Sequence, residues 1–230
     1  MRAIILAAGR GERMRPLTDH TPKPLLKARG KPLIEWHIEA LARAGVQDIV
    51  INCAWLEEQF PAVLGDGSRW GLRLHYCFEQ QRFGGALETG GGIATALPLL
   101  GADGDAAFWA VSGDIYMPGF EFDPAKAAAF AASEQLAHLW MVPTQAQHPQ
   151  GDFAIDADGH VRADGGPLQV FANIGLYRPA LFGVIRAGER QRMRVALDHG
   201  IALGRITAEL HDGPWINVGT PEQLDALNAT

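Results

Sequence analysis

The sequence predicts an α/β fold: a Rossmann-like, mostly parallel but mixed sheet with helices on both faces. Two observations carry that expectation. Short apolar runs alternate with longer stretches whose apolar residues recur at helical spacing, the pattern of parallel strands joined by right-handed crossovers. The first apolar run, Ala3-Ile4-Ile5-Leu6-Ala7-Ala8, leads directly into a glycine-rich loop, and open parallel sheets bind ligands beyond the carboxyl ends of their strands. At 230 residues the chain is sized for one large domain, and residues 1–230 are expected to form a single one with a small lobe. A composition 47% apolar and 20% charged supplies a sizeable core, so wholesale disorder is not expected.

Residues 2–7 read as a buried strand, followed by the glycine-rich loop and a proline-marked stretch to about residue 32. Pro32 suits a first helical turn; Leu33, Trp36, His37, Ala40 and Leu41 then recur at helical spacing until Gly45 stops the helix. A strand over 48–53, a helix over 55–64 and a strand over 72–76 follow, then a helix over 91–97 and a strand over 106–111. The second half is less regular. A helix is expected over 124–133, a strand over 136–142, a long strand over 169–177 and a last helix opened by Thr220-Pro221-Glu222. Asp156-Ala157-Asp158-Gly159 has hairpin-turn chemistry. It lacks the remaining ligand positions of a calcium loop. No internal repeat, low-complexity segment or clean linker interrupts the pattern.

A net charge of −6 without any run of like charges offers no surface for nucleic acid or an anionic membrane. A small anionic substrate needs only a local cluster of cations, and three of the four lysines (Lys23, Lys27, Lys31) fall within nine residues. Cys53 and Cys77 sit in apolar stretches without a CxxC partner, as buried free thiols of a reducing compartment do. The opening apolar run is too short for a secretory core or a membrane span, so a soluble, cytoplasmic protein is expected. The eight histidines show no paired metal spacing and no nucleophile partner.

The loop after the first strand reads Leu6-Ala7-Ala8-Gly9-Arg10-Gly11-Glu12-Arg13-Met14-Arg15-Pro16-Leu17-Thr18. Small residues let backbone N–H groups approach phosphate oxygens, and arginines add charge and forked donors. The GxxxxGK[ST] pattern is absent. A GxGxxG fingerprint starting at Gly9 finds Met14 where its third glycine belongs, and Pro16, Pro22 and Pro24 forbid an uninterrupted helix after it.

The stretch resembles instead the opening of the sugar-1-phosphate nucleotidyltransferases, LAAGxGxRMxPLT followed by PKPL. The second part is here Thr21-Pro22-Lys23-Pro24-Leu25-Leu26, and the match covers 19 consecutive positions from Leu6 to Pro24. The resemblance implies a GT-A-like nucleotidyltransferase architecture with a small sugar-side lobe. It also implies that Leu6, Ala8, Gly9 and Gly11 line the nucleotide, Arg13 grips the triphosphate and Lys23 contacts phosphate at the reacting centre.

Further along, Leu87-Glu88-Thr89-Gly90-Gly91-Gly92 precedes a helix. Three glycines there suit close packing against a flat ligand such as a base, or a flexible loop. The family's comparable E-T-x-G segment faces the nucleotide, which implicates Glu88, Gly90 and Gly91. The triple-glycine form is most similar to uridylyltransferases acting on N-acetylmuramic acid 1-phosphate, in the bacterial recycling of cell-wall sugar. Asp114 ends the fourth strand at the ligand edge, where a lone carboxylate serves as a turn or cap, or as a ligand to Mg2+, which prefers hard oxygens. The resemblance favours the metal. The Asp-x-Asp of related glycosyltransferases is not met by Asp114-Ile115-Tyr116. Asp152 in Gln150-Gly151-Asp152-Phe153 and Asn173 in Phe171-Ala172-Asn173-Ile174-Gly175 match segments that hold the sugar phosphate in relatives; strand-end hydrogen bonding is the competing role.

The chain departs from the family near its end. Where W-x-D-x-G-T places a second metal-binding aspartate, it reads Trp215-Ile216-Asn217-Val218-Gly219-Thr220, so Asn217 offers a neutral oxygen in place of a carboxylate. The second lysine that some relatives set beside the sugar phosphate has no counterpart, since Lys126 matches no such motif. The implied reaction joins a nucleoside triphosphate to a sugar 1-phosphate and releases pyrophosphate, with Mg2+ as cofactor. UTP and N-acetylmuramic acid 1-phosphate are the leading pair. Mannose or glucose 1-phosphate with GTP or another triphosphate is the runner-up, and a non-catalytic nucleotide-sugar sensor is the reading from another class. A monomer is expected.

Overall fold

The computed structural model describes residues 1–101, 106–145 and 148–229. The expected alternation is present. Strand β1 (Arg2–Ala7) is followed by a two-residue ribbon, β2 (Lys27–Ala28) and β3 (Lys31–Pro32), and by helix α1 (Leu33–Arg43). Gly45, at φ 79°, ends that helix in the left-handed conformation glycine accepts most readily. Then come β4 (Asp48–Cys53), α2 (Gln59–Leu64), β5 (Arg73–Phe78), α3 (Glu79–Phe83), α4 (Glu88–Ala96), β6 (Phe108–Ser112) and β7 (Ile115–Tyr116). The remainder is α5 (Pro124–Ala132), β8 (Ala137–Val142), β9 (Ala154–Ile155), β10 (Val161–Arg162), β11 (Val170–Tyr177), α6 (Met193–Ala202), β12 (Ile206–Leu210), β13 (Ile216–Asn217) and α7 (Pro221–Ala229).

Seven strands form the central sheet in the order β12-β8-β11-β6-β1-β4-β5. Every neighbouring pair runs parallel except those made by β11, which lies antiparallel to both β6 and β8. The period-two alternation of the strands explains why helices cover both faces. Ala3 and Ile5 of β1, Ile49 and Ile51 of β4, and Trp109 and Val111 of β6 point to one core with Ile34, Ile38, Phe60 and Phe130. Their neighbours Ile4, Val50, Phe108 and Ala110 point to the other, against Ile93, Leu181, Phe182 and Leu197. A third cluster packs α7, through Leu224 and Leu227, onto Met14 and Leu33.

Several boundaries differ from expectation. Helix α2 starts at Gln59 rather than 55, and α4 starts at Glu88, so the three glycines lie inside the helix rather than ahead of it. Helix α6 and strand β12 are not apparent in the sequence, because only Ala196, Leu197 and Gly200 of α6 are buried in a stretch crowded with arginine. The Asp156 turn forms as read: Gly159 N–H donates to its carbonyl at 3.0 Å, and His160 N–H donates to Asp156 Oδ1 at 2.9 Å. Cys53 and Cys77 are free and buried, and burial pushes both thiols up, out of the reactive range. No helix among the described residues is long and apolar enough to cross a membrane.

Candidate active site

The loop leaving β1 is held by its own sequence. Gly11 has φ 68°, and a Cβ there would lie 3.0 Å from Thr18 Cγ2 and 3.1 Å from Lys23 Cβ, so both backbone and space call for glycine. At Gly9 the opposite holds: a Cβ would meet nothing within 4 Å. Met14 is fully buried in the cluster with Val218, Leu224 and Leu227 and anchors the loop to α7. Thr18 Oγ1 donates to the Gly11 carbonyl at 2.8 Å, Trp55 Nε1 donates to the Thr18 carbonyl at 2.8 Å, and the Arg10 guanidinium lies over the Trp55 ring.

Lys23 emerges from the turn after Pro22 into an almost fully buried position, where its Nζ donates to Asp114 Oδ2 at 2.7 Å. A buried ammonium requires such a partner, and breaking the pair would leave a costly charge behind. Asp114 is set by the sharp turn from β6 to β7, where Gly113 N–H donates to the Leu6 carbonyl at 2.9 Å. The β7–β13 ribbon then brings Asn217 into register with Ile115, and Val218 N–H donates to the Asp114 carbonyl at 3.1 Å. Beneath the ribbon, buried His37 Nε2 donates to the Ile115 carbonyl at 2.8 Å. Burial lowers its pKa from 6.5 to about 4, against the opposing pulls of that hydrogen bond and the Asp114 charge.

The residues suit a magnesium ion better than a protein-enclosed metal. No group of three or more His, Cys, Asp or Glu is gathered among the described residues, as a closed structural site would require. Magnesium is held by one or two carboxylates together with substrate phosphates. Asn217 Oδ1, beside the turn that carries Asp114, is buried and accepts no hydrogen bond among the described residues.

Two cavities meet here. One, of about 620 Å³, is lined by Ala8, Gly9, Gly11, Lys23, Glu88 and Asp114; the other, of about 840 Å³, by Asp152, Asn173, Trp215 and Asn217. Leu6, Arg13, Thr89, Ser112 and Gly219 line both. Each volume lies within the range of small-molecule sites. Asp152 is already engaged: its Oδ2 accepts Phe171 N–H at 2.9 Å, and Oδ1 lies 3.1 Å from His148 Nε2. Its strand-end role is therefore present, with the carboxylate still on the cavity wall. Asn173 has φ 58° at the bulge of β11 between Phe171 and Gly175, and Trp215 Nε1 donates to the adjacent Ala172 carbonyl at 3.1 Å.

The first two glycines of the triplet pack closely against protein backbone. Gly90 and Gly91 are buried in α4 and line neither cavity. A Cβ on Gly91 would fall 2.1 Å from the Glu189 carbonyl, and one on Gly90 2.8 Å from that of Arg192. The glycines make room for the 186–192 segment, and it is Glu88 and Thr89 that face the cavity. Glu88, at φ 61°, places Oε1 2.9 Å from Arg190 Nη2.

Residues 2–164 match the family model described as nucleotidyl transferase. This chain belongs to the nucleotidyl transferase family. It is 46% identical to the N-acetylmuramate alpha-1-phosphate uridylyltransferase of Neisseria meningitidis serogroup B, over 100% of this chain and 97% of that one. It is 33% identical to the protein of the same name from Caulobacter vibrioides, over 99% and 95%. In fold it resembles a solved Bacillus anthracis protein provisionally described as a glucose-1-phosphate thymidylyltransferase, in complex with sucrose. That likeness has a TM-score of 0.81 at 20% identity and covers 100% of this chain and 94% of the other.

In this nucleotidyl transferase two arginines of the cavities escaped the motif reading. Arg190 lines the glycine-loop cavity, and Arg194 lines the larger one, with its guanidinium 4.8 Å from the Phe153 ring centre and Nε 2.6 Å from Asp198 Oδ1. Their signal in the sequence is four arginines between positions 186 and 194, a density of cations that no other stretch of the second half repeats.

Proposed function

We propose that this transferase moves a uridylyl group from UTP to N-acetylmuramic acid 1-phosphate, forming the nucleotide sugar and pyrophosphate, as one cytoplasmic, monomeric domain serving cell-wall sugar recycling. The observation that carries the reading is the junction of the two cavities, where Arg13 faces both and the Lys23–Asp114 pair stands beside them. A triphosphate on the glycine-loop side and a sugar phosphate on the other would meet there. The full-length likeness to the Neisseria protein supports this choice of base and sugar.

An oxygen of the sugar phosphate attacks the α-phosphorus, a P–O bond forms, and the bond to the β-phosphate breaks. The attacking oxygen is ionised at neutral pH, so the step needs positioning and charge neutralisation rather than a general base. Backbone N–H groups from Ala8 to Gly11 and the Arg13 guanidinium hold the triphosphate, and Lys23, oriented by Asp114, stabilises charge developing toward pyrophosphate. Asp114 and Asn217 are the residues that would hold Mg2+, which when bound neutralises phosphate charge. Asp152 and Asn173 hold the sugar. The lactyl group of N-acetylmuramic acid carries a carboxylate, and Arg194 gives that cavity a cation to receive it.

Initial rates of pyrophosphate release with UTP, GTP and dTTP, each paired with the 1-phosphates of N-acetylmuramic acid, N-acetylglucosamine, glucose and mannose, test the assignment. The highest kcat/KM is expected for UTP with N-acetylmuramic acid 1-phosphate. Preference for GTP with mannose 1-phosphate would overturn the choice of substrates, and binding without any pyrophosphate release would favour a sensor.

A further inference from the structure

At the wall of the glycine-loop cavity, which Asn52 helps to line, lies a buried polar bridge between two segments far apart in sequence. Asn52, at the end of β4, is 2% exposed, and Glu79, the first residue of α3, is fully buried. Asn52 Oδ1 accepts Ala7 N–H at 3.0 Å, where β1 opens into the glycine-rich loop. Asn52 Nδ2 donates to Glu79 Oε1 at 2.8 Å, and Glu79 Oε2 accepts Leu87 N–H at 2.8 Å, one residue ahead of Glu88. The orientation of the amide follows from chemistry: Ala7 N–H requires an acceptor and the carboxylate a donor. The third glycine of the triplet belongs to this bridge, since a Cβ on Gly92 would lie 2.6 Å from Asn52 Nδ2 and 2.7 Å from Glu79 Oε1.

We propose that Asn52 and Glu79 are positioning residues of the nucleotide site, a hydrogen-bonded strut that fixes the spacing between the glycine-rich loop and the Glu88–Thr89 wall. The inference rests on the reading of this cavity as the triphosphate site. A carboxylate buried in this way costs desolvation, and burial accordingly raises its pKa, opposed by the Leu87 and Asn52 hydrogen bonds. Nonpolar residues would fill the same volume without that cost. What a carboxylate adds is two fixed acceptors, one for each segment, so that neither can shift alone.

The polarity of the strut can be reversed, which gives a test. In Glu79→Gln an amide faces two donors, Asn52 Nδ2 and Leu87 N–H, and can accept from only one. In Asn52→Asp two carboxylates face each other. In the double variant the carboxylate now at position 52 accepts from Ala7 N–H and from the new amide at position 79. The oxygen of that amide accepts Leu87 N–H, so every bond is re-formed with one carboxylate kept. Pyrophosphate release at varied UTP and fixed N-acetylmuramic acid 1-phosphate is read beside UTP binding by calorimetry and thermal unfolding. Each single variant is expected to lower thermal stability, the cost of one unmatched buried polar group. By letting the two segments shift, each should also raise KM and Kd for UTP about tenfold or more, with kcat and the sugar-phosphate KM little changed. The double variant should recover UTP affinity to within about threefold of native.

Unchanged UTP affinity in folded single variants would overturn the inference. So would a double variant that regains thermal stability but binds UTP no better than Asn52→Asp, which carries the same charge at the cavity wall, because the bridge would then be structural only. Should the single variants fail to fold, the double variant's UTP affinity decides alone. A native chain that binds no UTP would instead overturn the nucleotide reading, and this inference with it.

Discussion

The two sides of the site are built on different terms. On the glycine-loop side the loops hang from parallel strands, and the polar groups that fix them are paired within the protein: Ala7 with Asn52, Asn52 and Leu87 with Glu79, Lys23 with Asp114. On the other side the wall is the one antiparallel strand of the central sheet. It is bulged at Asn173, whose backbone is left-handed, and the neighbouring ribbon carries the buried Asn217 Oδ1, which accepts no hydrogen bond among the described residues. A triphosphate is the same polyanion whatever its base, and a rigid frame suits it. Glu88 on the glycine-loop side shares the left-handed backbone, so the contrast rests on Asn217 Oδ1, unpaired among the described residues, which the proposed mechanism gives to the metal.

The largest effect that would sharpen this contrast is expected at Lys23. Lys23→Ala should lower kcat for pyrophosphate release by about 10²–10³ while thermal unfolding shows a folded chain. A loss confined to the KM of the sugar phosphate would place Lys23 on the wrong side of the division. Next comes the joint between the sides, the ribbon resting on His37. Its pKa is lowered by burial from 6.5 to about 4, so the unfolded chain takes up a proton below about pH 6.5 that the folded chain refuses. This contribution is intact above that pH and is lost as the pH falls toward 4, to the extent of about 3 kcal/mol. Urea unfolding at pH 7.5 and 4.5 should show a smaller acid loss in His37→Gln than in the native chain. Equal losses would contradict the assignment.

Gly91 and Gly9 break the contrast down within one side. Gly91→Ala forces a methyl against the Glu189 carbonyl and is expected to cost about 1–3 kcal/mol, read as a fall of several degrees in Tm. Gly9→Ala meets no protein atom and should leave Tm unchanged while raising the KM for UTP. The reverse pattern would mean that the glycine loop is a structural turn. The smallest effect is expected at Asn173. Asn173→Gly keeps the left-handed backbone and should raise only the sugar-phosphate KM, whereas Asn173→Val should in addition lose about 1–2 kcal/mol of stability to strain. If both variants behaved alike in urea unfolding, the bulge would carry no strain.

What the sequence disclosed follows the same division. The parallel half announces itself because each strand is buried on both faces and each crossover helix has a wide apolar stripe, so Ile4-Ile5 and Leu33 to Leu41 are legible without context. Gly9, Gly11, Arg13 and Lys23 lie in one contiguous motif, and the structure brings them to one cavity. The reason for the glycine triplet was not legible, because its neighbours Glu189 and Arg192 lie about a hundred residues away in sequence. Asn52 and Glu79 were hidden for the same reason: each reads as an ordinary polar residue at an element end until the fold sets them 2.8 Å apart. Helix α6 was obscured because arginine dominates its approach, and with it went Arg190 and Arg194.

The measurement that bears most directly on the central claim is pyrophosphate release from UTP and N-acetylmuramic acid 1-phosphate with magnesium, for the native chain and for Asn217→Asp. Turnover by the native chain, within about tenfold of the variant, is the predicted result and would show that an amide oxygen suffices beside Asp114. No native turnover with any sugar 1-phosphate, and activity gained only in Asn217→Asp, would contradict it and mark a chain that binds its ligands without performing the transfer.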